Sequence, residues 1–492
     1  MDEGHILTKS TFLRGLRCQK SLMLDALHPE ARDPLDADAR LRMGLGQEVG
    51  IVARERYPGG QVGRIPGAIE PSLQRTQELI ERGEQVIYEA AFQRAGVFIL
   101  VDILVKSKEA WRLIEVKSNT KVEEEHLWDV AVQAYVLHGA GVRLEDTCLL
   151  HMNSDYVRVG ELDLKELFTE VSVMQEVEEL QDEVEQSVAS SKEQLVRGEV
   201  PEQDIGAFCA EPRPCDFKGH CWEQLPSPSV FDVYYIGKRA FDLYAQGITR
   251  IEKIPDDHPL DKRSRFHIQA HKSGETIIHQ KDLLAFIAAL DVPLYYLDFE
   301  TFALPIPPFE GLSPYSKVPF QYSLHVQAEA GGEVVHSGFL AEAGVDPRRE
   351  FLSSLLSETE GLGSIIVYYQ SFERSVLAAL GEQYPHFKPA IDGRIERFVD
   401  LWDPFRKQQF YTPAMGGSTS LKSVLPALVP EMRYDDLEIS DGNQAMEAYL
   451  SLVEMTDPEE IERIRGDLWE YCQLDTLAMV RILEELRKVC EG

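Results

Sequence analysis

No stretch of the 492 residues holds the roughly 20 consecutive apolar residues that a membrane-spanning helix needs, so no membrane partner is expected. The opening MDEGHILTKS also lacks the basic-then-apolar pattern of an export signal, and a cytoplasmic location is the expectation. Positive charge is scarce: 50 lysines and arginines stand against 83 aspartates and glutamates, a formal net charge of −33. That balance argues against a generic nucleic-acid coat, which needs a basic surface. It does not exclude an enzyme that meets phosphates through metal ions held by carboxylates. Cysteine is sparse too, and seven thiols in a cytosolic chain do not make a disulfide framework. With an apolar share of 44%, long disorder is not expected. The length exceeds one ordinary domain and points to two or three.

What is present is charged chemistry where a core would normally be aliphatic. Between Gly96 and Tyr135, GVFILVDILVKSKEAWRLIEVKSNT leads into a helical segment containing DVAVQAY. Asp102 interrupts the apolar run from Val97 to Leu104, and Glu115 and Lys117 follow Trp111, Leu113 and Ile114. Strand side chains alternate, so Glu115 and Lys117 share a face. A buried carboxylate is costly unless it is paired or binds a metal. Two carboxylates and a lysine at strand ends suit one or two divalent cations, Mg²⁺ or Mn²⁺. A salt bridge in a two-stranded ribbon is the plainer account of D…ExK alone.

The order of strand with Asp, strand with Glu-x-Lys, then helix with Gln133 resembles the core of the PD-(D/E)XK nucleases, specifically their RecB-like branch. That resemblance implies Asp102 and Glu115 as metal ligands, Lys117 as the group that stabilises developing charge, and Gln133 as a further site residue. The branch places a tyrosine four residues after the glutamine, whereas Tyr135 follows Gln133 by two, so only Gln133 is carried over. Glu48, on a helix expected over 38–56, and Glu89, in a strand expected over 85–92, are additional ligand candidates. A further strand is expected over 146–152, and a charged helical stretch over 162–197.

Cys209, Cys215 and Cys221 cluster in FCAEPRPCDFKGHCW, and Cys18 lies about 190 positions earlier in TFLRGLRCQKSLML. Thiolates favour zinc or an iron–sulfur cluster, and zinc sites usually show C-x₂₋₄-C pairs, which are absent. One cysteine before a nuclease core and three after it resembles the iron–sulfur RecB-like nucleases, including the AddB type and the CRISPR-adaptation nuclease. The resemblance implies a structural [4Fe–4S] cluster on Cys18, Cys209, Cys215 and Cys221, with zinc as the alternative.

At Pro293 the chain changes character to PLYYLDFETF. Asp298 and Glu300 emerge side by side from one strand face. Far downstream, Tyr471 and Asp475 are four apart in a helical segment and share its face. D-x-E-T paired with Y-x-x-x-D resembles the DnaQ-like, or DEDD, exonucleases of the RNase H fold, in their tyrosine subgroup. A further acid is then needed, because two cations around one phosphate require four carboxylates. Glu373, after the strand-like SIIVYY, is preferred to Asp400. Lys422, after a glycine-rich loop, is a candidate phosphate contact.

The chain as a whole resembles a bacterial family that joins these halves, through LTKSTFLRGLRC, the D…EVKS core, the cysteine cluster, YYLDFETF, PFQYSLH and YCQLDT. The expectation is therefore an α/β protein of three parts: a PD-(D/E)XK RecB-like domain over 1–225, a helical connector over 226–290, and a DEDD-type RNase H-like domain over 291–492. The expected activity is metal-dependent hydrolysis of phosphodiesters at DNA ends, in repair or in defence against foreign DNA. A catalytically decayed binding module, or a hydrolase of RNA or nucleotides, is the alternative.

Overall fold

A computed structural model describes residues 5–435 and 437–491. It is a mixed α/β protein that divides into two compact units. The first comprises the chain up to Gln224 together with Leu304–Ser316; the second comprises Leu225–Ala303 and the chain from Lys317 onward. The stretch expected as a separate connector thus groups with the second unit, although it keeps a small apolar core of its own around Val230, Leu243, Ile251 and Ile268. No helix of the described residues is long and apolar enough to cross a membrane.

The first unit is built on a seven-stranded sheet. Its strands are β1 (Leu7–Thr8), β2 (Gln61–Val62), β3 (Val86–Arg94), β4 (Val97–Ser107), β5 (Ala110–Lys117), β6 (Leu144–Met152) and β7 (Phe168–Ser172). β3, β4 and β5 form an antiparallel meander, and the Glu124–Gly139 helix crosses over to β6, which lies parallel to β5. A parallel neighbour needs such a crossover, and this one delivers Gln133 to the sheet. Side-chain alternation breaks once. Ile87, Ala90, Phe92, Val97, Ile99, Val101 and Leu104 face one core, whereas Tyr88 and Ile103 face the other. The change of face falls at Glu89 and Asp102, where Glu89 takes a φ of 47°. Asp102 therefore sits at a joint in the sheet rather than in a regular row.

The segment after Thr8 is two helices, Lys9–Arg17 and Gln19–Leu27, divided at Cys18, which adopts an extended conformation (φ −162°) and caps both. The charged stretch 162–197 is not one helix. Phe168–Ser172 pairs with β6 as β7 before the Met174–Glu179 and Gln181–Arg197 helices begin. The residues FTEVS favour a pleated, half-buried edge, and pairing with β6 overrides the surrounding helix formers.

The second unit holds β8 (Ile277–Ile278), β9 (Leu294–Phe302), β10 (Val318–Gln327), β11 (Val334–Leu340), β12 (Ile365–Val367), β13 (Phe398–Asp400) and β14 (Phe410–Tyr411). The main sheet runs β11-β10-β9-β12-β13, with β10 and β11 antiparallel and β12 and β13 parallel to their neighbours. β9 is central. Against it and β10 packs the 34-residue Pro458–Glu491 helix. Gln321 Nε2 donates to Leu468 O at 2.8 Å, and Ser323 and His325 meet the Thr476 hydroxyl at 2.6 and 2.8 Å. These bonds fix the helix's rotation over the sheet.

Candidate functional site

The first carboxylate site lies where β4 changes partners. Its start pairs with β1 and its end, from Ile103, with β5. Asp102 falls between these stretches, and its Oδ2 accepts from Val116 N at 2.9 Å, filling a rung the ladder leaves. Glu115 is only 1% exposed. Its Oε1 accepts from Lys117 and from Lys9, each at 2.7 Å, and its Oε2 accepts from Gln133 Nε2 at 2.8 Å. Asp129 accepts from Lys117, pairs with Lys9 at 3.3 Å, and accepts from Gln133 Nε2 at 3.2 Å.

Burial raises the Asp102 carboxyl, and the Glu115 charge raises it further. Burial acts on Glu115 as well, but the Lys117 and Lys9 ammoniums overcome it and hold that carboxyl well below the usual range. Asp102, Glu115, Lys117 and Gln133 are thus brought together. Asp129 escaped the sequence reading although its spacing of four from Gln133 places both on one helix face. Lys9, 106 positions from Glu115, gave no local signal.

The other candidates lie elsewhere. Glu89 is held by Arg54 at 2.5 Å and Arg64 at 3.5 Å, Glu48 is exposed, and Tyr135 packs against the apolar core.

In the second unit Asp298, Glu300 and Asp475 present carboxylate oxygens all within 4.8 Å of one another. Asp298 and Glu300 come from alternate positions on β9, and Asp475 from the long helix. Burial, then the Asp475 charge, push Asp298 well above its ordinary value and Glu300 to about 8. Asp475 is raised by burial to about 6, restrained by bonds from Tyr434 and Tyr471 and by the charge of Lys422. Tyr434 Oη donates to Asp475 Oδ1 at 2.6 Å. Lys422 Nζ lies 5.6 Å from the Tyr434 ring centre and 5.5 Å from that of Tyr471. Tyr434 lacked a motif to reveal it; only the fold brings it to Asp475.

Glu373 lies in the first turn of the Ser371–Gln383 helix, which follows β12 beside β9. It is 2% exposed, its Oε2 has no partner, and burial pushes it up to about 8. Its charge acts on both Asp298 and Glu300, yet it stands outside the 4.8 Å trio. Asp400 serves a different purpose. Its carboxylate accepts from the backbone N–H of Tyr369, Gln370 and Trp402 at 2.9, 3.2 and 3.0 Å, bracing the turn from which Glu373 projects.

Four of the five cysteines of the first unit, Cys18, Cys209, Cys215 and Cys221, line one cavity of about 60 Å³, together with Ser21, Gln203 and Phe217. Burial raises the Cys18 and Cys221 thiols, and the neighbouring thiols raise them further. Ser21 N donates to Cys18 Sγ at 3.4 Å. Tetrahedral zinc at about 2.3 Å from each sulfur would bring the sulfurs to roughly 3.8 Å apart. Among the described residues, the two donor sets lying mutually within 4.8 Å are Asp298–Glu300–Asp475 and Glu123–Glu125–His126, and the thiols form neither. Their soft S₄ composition suits a thiolate-bound group, an iron–sulfur cluster or zinc. The Glu123–Glu125–His126 group is accounted for by local structure: Glu123 N donates to His126 Nδ1 at 3.2 Å at a helix start, and Glu125 pairs with Arg213 at 3.1 Å.

No curated protein matches the chain significantly. Residues 295–420 are similar to a family described as a domain of unknown function, DUF2779, a span that takes in Asp298, Glu300, Glu373 and Asp400 and ends before Tyr434, Tyr471 and Asp475.

Proposed function

We propose that the protein is a metal-dependent nuclease that processes DNA ends, with two separate carboxylate sites on one chain. The observation that carries this reading is the convergence of Asp298, Glu300 and Asp475 within 4.8 Å. Their raised carboxyls are costly to ionise together without cations. Supporting it, the second unit's sheet, numbered from its own first strand, runs 3-2-1-4-5 with the second strand antiparallel, the order of an RNase H-like fold. For the first unit, support comes from the succession of Asp102 strand, Glu115–Lys117 strand, Gln133 helix and parallel β6, the order of a PD-(D/E)XK core.

Divalent cations held by these carboxylates supply Lewis acidity toward a phosphodiester. Asp102 and Glu115 are ligands in the first site; Asp298, Glu300 and Asp475 are ligands in the second, with Glu373 completing the set. Lys117 stabilises charge that develops on the phosphate, and Gln133 fixes the Glu115 carboxylate through its 2.8 Å bond. Tyr471, beside Asp475, orients the attacking water. Cys18, Cys209, Cys215 and Cys221 hold a [4Fe–4S] cluster whose role is structural, joining the N-terminal helices to the 209–221 segment.

The test uses full-length protein with Mg²⁺, Mn²⁺ or chelator on end-labelled single- and double-stranded DNA, RNA and mononucleotides. Metal-dependent shortening of DNA from its ends, lost in Asp298→Ala, is expected. Preference for RNA or hydrolysis of mononucleotides alone would replace the substrate. Absence of any metal-dependent hydrolysis would overturn the enzyme reading.

A further inference from the structure

Lys9, with its partner Asp129, is a group at the first site that the nuclease reading leaves without a role. β1 places it there: Leu7 and Thr8 pair with Val97 and Phe98 on the stretch of β4 that β5 leaves free. Thr8 then caps the Lys9–Arg17 helix in a reciprocal box with Thr11. The first residue of that helix consequently enters the joint beside Asp102. The far end of the helix is held as firmly. Arg14 Nη2 donates to Asp216 at 2.6 Å, Arg17 Nε to Phe208 O at 2.6 Å, and Cys18 follows directly. Lys9 is therefore carried on a rigid nine-residue rod rather than on a loose terminal arm.

The ammonium has a defined task. An ionised carboxylate offers about four acceptor positions. On Glu115 three are taken, by Lys9, Lys117 and Gln133, which leaves about one for a metal. Charge gives the same answer. Three carboxylates (Asp102, Glu115, Asp129) and two ammoniums (Lys9, Lys117) sum formally to −3 + 2 = −1. One divalent cation brings the cluster to +1, and a second would bring it to +3 in a buried setting, which electrostatics disfavours. We infer that Lys9 is a further positioning residue of the first site, a fixed internal cation that stands where a second metal ion would bind and restricts the site to a single divalent cation. This rests on the proposed metal-dependent activity.

The test counts Mn²⁺ on the full-length protein by electron paramagnetic resonance, comparing Asp102→Asn, Lys9→Met and Lys9→Arg with the unaltered chain. Asp102→Asn should remove one Mn²⁺. Lys9→Met should add one, with the spin coupling of a close Mn²⁺ pair, and Lys9→Arg should restore the single ion. Lys9→Gln keeps an N–H donor for Glu115 and is read in place of Lys9→Met should the latter fail to fold. Unchanged Mn²⁺ in Lys9→Met, with the loss in Asp102→Asn intact, would overturn the inference alone. No loss in Asp102→Asn would overturn the underlying metal-site reading, and the inference with it. Loss of two ions in Asp102→Asn would show that Lys9 excludes nothing.

Discussion

In the N-terminal unit two of three carboxylates, Glu115 and Asp129, are bonded directly by two lysines whose charge also reaches the third, Asp102; in the C-terminal unit four carboxylates share no such bond. Lys9 and Lys117 hold Glu115 ionised. Asp298, Glu300, Glu373 and Asp475 accept no hydrogen bond from a lysine or arginine among the described residues, and all four are raised by burial. The charge of Lys422 acts on Asp475 and Glu300, and its ammonium is held over two tyrosine rings. The same residue types thus make two kinds of site. One carries its own cations and is electrostatically near balance, so its geometry is set before a metal arrives. The other keeps a buried repulsion that, on the proposed reading, added cations would relieve. Catalytic metal should therefore matter to the architecture of the second site far more than to the first.

The comparison breaks most visibly if the two sites are not separable. Asp298→Ala should lower end-trimming by about 10²–10³-fold, the scale on which single catalytic electrostatic groups act, while leaving any cleavage that depends on Lys117 within twofold. Lys117→Ala should do the reverse. Equal loss of every activity from either change would point to one composite site. Glu373→Gln sharpens the point within the second site. It should cost about as much activity as Asp475→Asn, yet raise the melting temperature of the metal-free C-terminal unit, because it removes a buried carboxyl whose Oε2 has no partner. Activity and stability moving in opposite directions is the signature to look for in paired assays and calorimetry.

A change confined to the cysteine cavity should separate the units by stability rather than by chemistry. Anaerobically purified protein should carry about four irons per chain and absorb near roughly 400 nm. Cys215→Ser should lose that iron and lower the melting transition of the N-terminal unit, leaving the C-terminal transition in place. Stoichiometric zinc without iron would reassign the cavity.

How far these arrangements were legible from the residues differs between the sites for a physical reason. Asp102, Glu115, Lys117 and Gln133 lie within 32 positions of one another, so strand alternation and helical spacing suffice to gather them. Asp298, Glu300, Tyr471 and Asp475 were readable as two local pairs, although nothing local fixes the rotation of the long helix that joins them; the bonds from Gln321, Ser323 and His325 do that. Lys9 and Tyr434 were invisible because their places depend on tertiary pairing: the short β1 in one case and the packing of the chain around Asp475 in the other. β7 was misread as helix because a five-residue edge strand among helix formers gains its stability from β6, not from its own propensity.

The electrostatic contrast also predicts opposite responses to pH for Glu115 and for the C-terminal carboxylates, whereas Asp102, raised by burial to about 7, follows the C-terminal sense. In the metal-free C-terminal unit burial raises Glu300 and Glu373 to about 8 and Asp475 to about 6, against roughly 4 for unfolded carboxyls. Between those values the folded state holds protons that the unfolded state has released, so stability falls as pH rises from about 4 to 8. For Glu115, depressed in the folded state, the contribution is complete above about 4.3 and is lost as pH falls below it. Calorimetry in chelator should show the C-terminal transition dropping by several degrees between pH 5 and pH 8, at roughly 2–4 °C per kcal/mol for a unit of this size. Mn²⁺ should reverse that drop, most strongly at the alkaline end. A C-terminal transition insensitive to both pH and Mn²⁺ would remove the contrast.

The smallest expected effect isolates Tyr434 from Tyr471. Both hydroxyls restrain Asp475, but Tyr434 makes the 2.6 Å bond, and Tyr471 is the residue proposed to orient water. Removing a hydrogen bond that merely fixes a metal ligand typically costs 10–100-fold in metal affinity or activity. Tyr434→Phe should fall at the lower end of that range, because Tyr471 and the Lys422 charge remain. The loss should appear as a higher Mn²⁺ concentration for half-maximal activity, with the rate at saturating Mn²⁺ nearly restored. The acid limb of the rate–pH profile should also move upward, since Asp475 loses a bond that favours its ionised form. Tyr471→Phe should behave differently: its rate should stay low at saturating Mn²⁺, because water orientation is not recovered by filling the metal site. If the two variants share one metal-dependence curve, the tyrosines act as a single unit around Asp475, and the separate water-orienting role of Tyr471 fails.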